Sequence, residues 1–380
     1  MGKVCLGDVA RERRETCRTG GEGLARVGLE HLAPGEVTLA AWEEGTENTF
    51  TKMFRKGDIL FGRRRAYLKK AAAAPFDGIC SGDITVIEAI PGRIDPDLLP
   101  FVIQNDALFD FAVGGSAGSL SPRVKWEHLQ NYRFELPEME KQKRLAQMFW
   151  SVDRVRKAYK RLLQSTDELV KARFIELFGV PGSDTHGWGL KTLKDCCLLN
   201  PQKPKKFKKI PPETRCSFVA MPSVGEKGEL DASIIRPYSE VCKGFTYFAE
   251  NDVLFAKITP CMENGKGAVA KGLCNRLGFG STEFHVLRPI PGVSDPYWLY
   301  AITIFEKFRR DAEKVMTGTG GQRRVPISYL ADYAITLPPI DLQERFADFM
   351  RQSVRSKAEL QQAASDLDAA YRRLLAENLG

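Results

Sequence analysis

The chain reads as an α+β protein in which two mixed, strand-rich domains are each followed by one long helix. The two helices are expected to pack as an antiparallel coiled coil, and the whole chain to form an internal repeat with pseudo-two-fold symmetry. Three observations predict this. Between Leu136-Pro137 and Phe178-Gly179 lie about 40 residues with neither glycine nor proline. Leu337-Pro338-Pro339 opens a second such stretch, which runs on to Gly380. Short matching runs recur through the two halves about 200 residues apart. The expected segments are therefore 1–137 (first domain), 138–183 (first long helix), 184–338 (second domain) and 339–380 (second long helix).

Proline fits the first turn of a helix and not its interior, so Pro137 sets the start of a helix over 138–178. Gly179, with Pro181 just beyond, sets its end. Leu145, Met148, Val152, Val155, Tyr159, Leu162 and Leu169 follow the alternating three- and four-residue steps of a coiled-coil seam, broken at Thr166. At 1.5 Å per residue such a helix is about 60 Å long and needs a partner. A helix over 340–378 supplies one. There Phe346, Met350, Leu360, Ala364, Leu367, Tyr371 and Leu374 keep the same steps, with Ser353 and Lys357 as polar exceptions. Gln142 and Gln343, 201 residues apart, occupy the same place in each helix. The two mixed domains are expected at opposite ends of the helix pair.

In the first domain, Ile59-Leu60-Phe61 follows the turn Lys56-Gly57-Asp58, and Ile84-Thr85-Val86-Ile87 follows Ser81-Gly82-Asp83; both are β-rich runs after turn chemistry. Residues 97–113 have the apolar face of one helix. Gly114-Gly115-Ser116-Ala117-Gly118-Ser119 is too glycine-rich for regular structure, and Arg123-Val124 and Tyr132-Arg133-Phe134 return as extended chain. The second domain repeats this order. Asn251-Asp252-Val253-Leu254-Phe255 matches Gly57-Asp58-Ile59-Leu60-Phe61 at an offset of 194; Pro291-Gly292 and Asp295-Pro296 match Pro91-Gly92 and Asp95-Pro96 at 200; Arg324-Val325 matches Arg123-Val124 at 201. The offset drifts only between Phe61 and Ser81, and between Phe255 and Ser281, where loops take insertions.

The 380 residues allow two or three cores, and 43% hydrophobic with 27% charged residues describes a soluble globular chain. Met1-Gly2-Lys3-Val4-Cys5 followed by Arg11-Glu12-Arg13-Arg14-Glu15 offers no secretory apolar region, and no run approaches a bilayer span, so a cytoplasmic protein without membrane contact is expected. Nine cysteines without a Cys-x-x-Cys pair, and four scattered histidines, read as reduced thiols and no zinc site. The net charge of +8 permits an anionic partner. Its cations cluster at Arg63-Arg64-Arg65, Lys69-Lys70, Lys203 to Lys209 and Arg323-Arg324, all ahead of the helices. No phosphate-cradling loop, dinucleotide fingerprint, zinc-protease motif or Asn-Pro-Pro-Tyr string occurs. Asp83 and Glu88 read as ordinary solvent-facing carboxylates beside a strand rather than a nuclease site. No catalysis is therefore expected of this chain, and the rival readings are a nuclease or methyltransferase fragment and a coiled-coil scaffold.

The run Asp252-Val253-Leu254-Phe255-Ala256-Lys257-Ile258-Thr259-Pro260-Cys261-Met262-Glu263-Asn264-Gly265-Lys266 resembles the target recognition domain of the specificity subunits of type I restriction-modification systems. So do Gly280-Ser281-Thr282-Glu283-Phe284 and the Thr317-Gly318-Thr319-Gly320-Gly321-Gln322 loop. Leu-Pro-Pro before a glutamine-bearing long helix, and Phe174-Ile175-Glu176-Leu177-Phe178-Gly179, resemble that family's helical regions. The resemblance covers the whole chain in the order domain, helix, domain, helix. The first half departs where Arg63-Arg64-Arg65-Ala66-Tyr67-Leu68 replaces Lys-Ile-Thr-Pro.

The resemblance implies double-stranded DNA as the ligand, two methyltransferase subunits bringing S-adenosylmethionine, and restriction subunits bringing ATP and magnesium. This chain itself is expected to hold no cofactor and no metal. Lysines and arginines on loops neutralise phosphates, and a few side chains read base edges, Arg at guanine and Gln or Asn at adenine. The candidates are Arg63, Arg64, Arg65, Lys69, Lys70, Arg123 and Lys125 in the first domain. In the second they are Lys257, Thr259, Lys266, Gln322, Arg323 and Arg324. The run 203–209 reads as an exposed or backbone-clamping loop anchored by Phe207.

Overall fold

The computed structural model describes residues 2–17, 23–44, 49–116, 122–319 and 321–379. It is an α+β chain that divides into two compact units: Met1–Arg161 with Gln361–Gly380, and Leu162–Leu360. Each unit holds three sheets, one of them a two-stranded pair, a set of short helices and part of both long helices.

In the first unit a four-stranded antiparallel sheet runs in the order Ala10–Glu12, Ile84–Ala89, Ile59–Gly62, Ala71–Ala73. Successive strand residues point to opposite faces. Ile59 and Phe61 accordingly enter a core with Phe101, Phe109 and Phe149, while Leu60 enters another with Val27, Phe54 and Val86. Both faces are covered, which is why Ile59-Leu60-Phe61 is apolar without alternation. A three-stranded sheet, Ala25–Val27, Gly78–Cys80 and Lys52–Phe54, covers the second face. Gly2–Cys5 pairs antiparallel with Arg133–Leu136, immediately before the first long helix.

The second unit has the same plan. Cys197–Leu199, Phe284–Pro289, Val253–Ala256 and Gly267–Val269 form the antiparallel sheet in the same order. Val253 and Phe255 face a core with Trp298, Phe308 and Phe346; Leu254 and Ala256 face one with Val219, Phe248 and Val286. A second sheet, ordered Ile235–Pro237, Arg215–Val219, Leu277–Gly280, Thr246–Ala249, carries an aromatic cluster of Phe207, Phe218, Tyr247 and Phe279. Phe207 is the buried anchor of its lysine-rich loop.

The long helices span Met139–Phe178 and Ile340–Leu379. The first ends on Gly179, whose φ of +76° is the left-handed cap that glycine adopts without strain. Inside the first unit Phe149 packs on Tyr371, and Arg156 donates to Asp368 Oδ1 at 2.5 Å, so the contact falls along one helix as it rises along the other. Inside the second unit Phe174 packs on Phe346, and Lys357 Nζ donates to Asp167 Oδ1 at 2.8 Å, in the same sense.

Two expectations need correction here. Val155, Leu162 and Leu169 do not lie in a buried seam; each is about half exposed. Leu145 is buried as expected and Met148 and Val152 pack partly buried on the core, but Phe149, Asp153 and Val170 are buried too, and the partner-facing positions include the polar Arg156 and Asp167. The single helix over 97–113 is two, Leu99–Ile103 and Asp106–Gly114. Asn105 divides them: its extended backbone caps the second helix by accepting from Ala107 N, while its amide donates to Leu379 O at 2.9 Å. Of the glycine-rich run that follows, Ala117-Gly118-Ser119 lies outside the described residues.

Gln142 and Gln343 show why their places match. Gln142 Oε1 accepts from Asp95 N at 2.8 Å and its amide donates to Pro137 O at 2.8 Å. Gln343 Oε1 accepts from Asp295 N at 2.9 Å and its amide donates to Pro338 O and Val293 O. Each buried glutamine fastens a long helix to the turn before a short helical segment of its own unit. No helix among the described residues is long and apolar enough to cross a membrane.

Candidate nucleic-acid interface

The strand Ile59–Gly62 ends in Arg63-Arg64-Arg65, and main-chain bonds tie that end to two distant segments. Arg63 N donates to Asp83 O at 3.0 Å, Val124 N to Arg63 O at 2.9 Å, and Arg65 N to Pro122 O at 2.9 Å. Stretches 63–65, 81–83 and 122–124 thus meet in one junction. Asp83 lies at its centre, taking Arg123 Nε on Oδ1 at 2.7 Å with Arg64 Nη1 3.6 Å from Oδ2. The bond from Arg123 holds that carboxyl below its usual range. Lys125 is exposed just before the short helix Trp126–Leu129. Lys69 and Lys70 close the same loop, with their ammonium groups engaged by Asp106 and by Leu29 O at 2.7 Å.

The second unit builds the same junction. Lys257 N donates to Glu283 O at 2.9 Å, Val325 N to Lys257 O at 2.9 Å, and Thr259 N to Arg323 O at 3.0 Å. These bonds reproduce, one for one, those of Arg63, Val124 and Arg65. Glu283 stands where Asp83 does and receives Arg324 on both oxygens, Nε and Nη2 each at 2.9 Å, while Nη1 donates to Gln322 O at 3.1 Å. Arg324 keeps the Glu283 carboxyl below the usual range. Its guanidinium is therefore committed within the chain, and Gln322 and Arg323 are the residues the loop presents. Among the described residues, Arg323 Nη2 has Glu313 at 3.7 Å and Glu263 at 3.9 Å as ion-pair neighbours. Gly318, at φ +125°, lies so close that a Cβ there would stand 2.7 Å from Gln322 O, so the loop folds tightly on itself. Gly320 lies outside the described residues.

Thr259 Oγ1 donates to Glu263 Oε1 at 2.8 Å, and Lys266 Nζ donates to Val224 O at 3.0 Å, so both shape the 257–266 loop. The residue that holds this loop most firmly, Arg309, escapes a reading of the sequence. From the helix Glu306–Lys314 its guanidinium is buried over the Phe255 ring, donating to Met262 O and, at 3.0 Å, to Gly265 O. Burial lowers its pKa to about 10. The one available signal was the spacing from Phe308 to Ala312, which turns Arg309 toward the same apolar face. His285 was missed too; its Nε2–H donates to Val325 O at 2.8 Å and Asn200 donates to Nδ1, pinning the third segment of the junction. Burial depresses its pKa.

Asp83 and Glu88, read from the sequence as ordinary carboxylates beside a strand, are ion-paired and mostly covered: Asp83 pairs with Arg123, and Glu88 with Arg11 and Arg13. Among the described residues no group of three or more His, Cys, Asp or Glu is placed to hold a metal ion. All nine cysteines are free thiols, and burial pushes Cys80 and Cys197 up to about 12.

Each junction is thus a frame of main-chain bonds with charged and amide side chains displayed from its loops. Residues 185–366 match the family model described as the type I restriction modification DNA specificity domain. The chain is 35% identical over 196 residues to the specificity subunit of the type I restriction enzyme EcoAI from Escherichia coli, and 36% identical over 186 residues to that of EcoEI from the same organism. These matches take in 51% and 48% of this chain but only 32% and 30% of the relatives' own lengths. The fold is similar to that of the type I restriction-modification S subunit from M. genitalium, with a TM-score of 0.57 at 11% identity, covering 100% of this chain and 96% of that one. It is also similar to a chain from a structure of type I R-M system assembly and conformational transition, with a TM-score of 0.55 at 20% identity, covering 99% and 97%.

Proposed function

We propose that this chain is the sequence-specific DNA-recognition subunit of a type I restriction-modification complex, reading a bipartite target with one unit for each half. The observation that carries this is the twofold occurrence of one junction, with the same main-chain bonds but unlike side chains: Arg63-Arg64-Arg65 in one, Lys257-Ile258-Thr259 in the other. Equal frames with different displayed residues suit two readings of different sequences. The long helices, paired as an antiparallel coiled coil within a pseudo-two-fold repeat, act as a spacer that fixes the number of unread base pairs. They also dock two methyltransferase subunits, which bring S-adenosylmethionine, and restriction subunits, which bring ATP and magnesium. The chain performs no catalysis itself and works in the cytoplasm. Methylome sequencing of a host with and without the gene tests this: one bipartite methylated motif should vanish on deletion. An unchanged methylome in a host that carries the partner methyltransferase refutes the reading.

A further inference from the structure

Tyr67 and Leu68 are 55% and 40% exposed in a loop whose other members are Arg63, Arg64, Arg65, Lys69 and Lys70. They sit in the single 3-10 turn Ala66–Leu68, anchored by Ala66, which is buried. Both flanking residues, Arg65 at φ 54° and Lys69 at φ 51°, occupy the left-handed region that side-chain-bearing residues rarely adopt. Main-chain bonds hold this conformation: Arg65 N to Pro122 O and Leu68 N to Arg65 O at 2.9 Å, and Gly62 N to Lys70 O at 2.8 Å. Backbone outliers persist where the surroundings impose them, and such places are often functional. The matching turn of the second unit does the opposite with its apolar residue. There Met262, in the position of Leu68, is fully buried and its carbonyl is held by Arg309.

We propose that Tyr67, backed by Leu68, is a wedge that presses on a base step of duplex DNA in the half-site read by the first unit, with the Tyr67 ring stacking on the base it displaces. The inference rests on the DNA-recognition reading above. An exposed apolar pair in a loop that also carries Arg63, Arg64 and Arg65 is complementary to a surface that is anionic outside and apolar within, and the edge of a base stack between two phosphate strands is such a surface. The unit would then recognise how easily one base step opens as well as its hydrogen-bonding edge.

The test uses the full chain as wild type, Tyr67→Ala and Tyr67→Phe, each taken through selection from a pool of random double-stranded oligonucleotides. The winning duplex is then titrated with 2-aminopurine placed at each half-site position in turn. Wild type and Tyr67→Phe should raise the fluorescence at one step. Tyr67→Ala should abolish that rise and lose preference at that step alone. It should weaken binding by about 5- to 150-fold, the range for removing one aromatic from a base stack. Its salt dependence should stay unchanged, because no phosphate contact is lost. Since Tyr67 is exposed, an unaltered melting temperature should accompany the loss. If Tyr67→Ala keeps the wild-type motif, affinity and fluorescence, the wedge is overturned and the exposed pair serves another partner. If wild type enriches no duplex at all, the DNA-recognition reading itself fails and the wedge falls with it.

Discussion

Replacing Glu283 by Gln separates two roles that Arg324 can play. If Arg324 is a clasp, Glu283 fixes its guanidinium and the guanidinium fixes Gln322, so losing either partner loosens the loop by the same amount. Both bonds are 2.9 Å long, but the side chains are 40% and 23% exposed, and solvent screens so accessible a pair. The melting temperature of the chain should therefore barely move. The larger effect should be on discrimination by Gln322, which weakens by up to about fivefold as the loop loses its fixed geometry. Binding of half-site variants by Glu283→Gln, Arg324→Ala and the double variant measures this; the two losses should be equal and should not add. Arg323→Ala, by contrast, should reduce the log-log salt slope by about one without changing base preference. The contribution of Glu283 also has a pH signature. Its folded pKa lies below the ordinary 4.5, so the stabilisation is complete above that value and is lost as pH falls through the folded one. If Glu283→Gln leaves base preference intact while Arg324→Ala removes it, Arg324 reads a base directly and the clasp is wrong.

Three further outcomes are expected. Arg309→Met removes the donors of Met262 O and Gly265 O but also a buried charge, so it should destabilise by about 1–2 kcal/mol in urea denaturation, and Arg309→Ala, which adds a cavity, by about 3–5 kcal/mol. Gln343→Leu strands Asp295 N, Val293 O and Pro338 O and should shift the urea midpoint by the equivalent of about 3 kcal/mol, with a similar loss for Gln142→Leu. His285 is depressed below its ordinary 6.5, so the unfolded chain takes up its proton first; stability should be complete above pH 6.5 and fall as pH drops through that value toward the folded pKa, a trend that His285→Gln should abolish in denaturation series between pH 5 and 8.

The helix ends were legible because Pro137, Gly179 and Pro339 are punctuation that acts locally, within one turn. The buried face of the first helix was not, because it includes polar residues: Asp153, paired with Lys157 in the same helix, and Arg156 and Asp167, which meet Asp368 and Lys357 on a helix some 200 residues away. A reading that follows hydrophobicity takes Val155, Leu162 and Leu169 instead. Asn105 divides a helix through its cap, and the amide that strengthens the break reaches Leu379, which no window of local sequence contains. In the junctions, the segments that meet stand 194, 200 and 201 residues apart in the two units, the same offsets at which short runs match in the sequence. The sequence could not tell that Arg324 is bound by Glu283 at 2.9 Å while Arg323 keeps longer contacts to Glu313 and Glu263, since that depends on side-chain geometry across the junction. Arg309 was hidden for the opposite reason: among Glu306, Lys307, Arg310 and Asp311 it looks like one more solvated charge.

The three-way junction is closed by amide and carbonyl groups that every residue except proline supplies in full. Side chains at 63–65 and at 257–259 can therefore be exchanged without removing a single strut of the frame. Such a scaffold can drift through sequence space at its displayed positions while its folding stays constant. Under the DNA-recognition function proposed above, a few substitutions would then suffice for a new target, and two such frames would let either half of it change independently. That freedom stops at Gln142, Gln343 and Arg309, whose side chains reach across to main-chain atoms of other segments, and there the tolerance for change should be least.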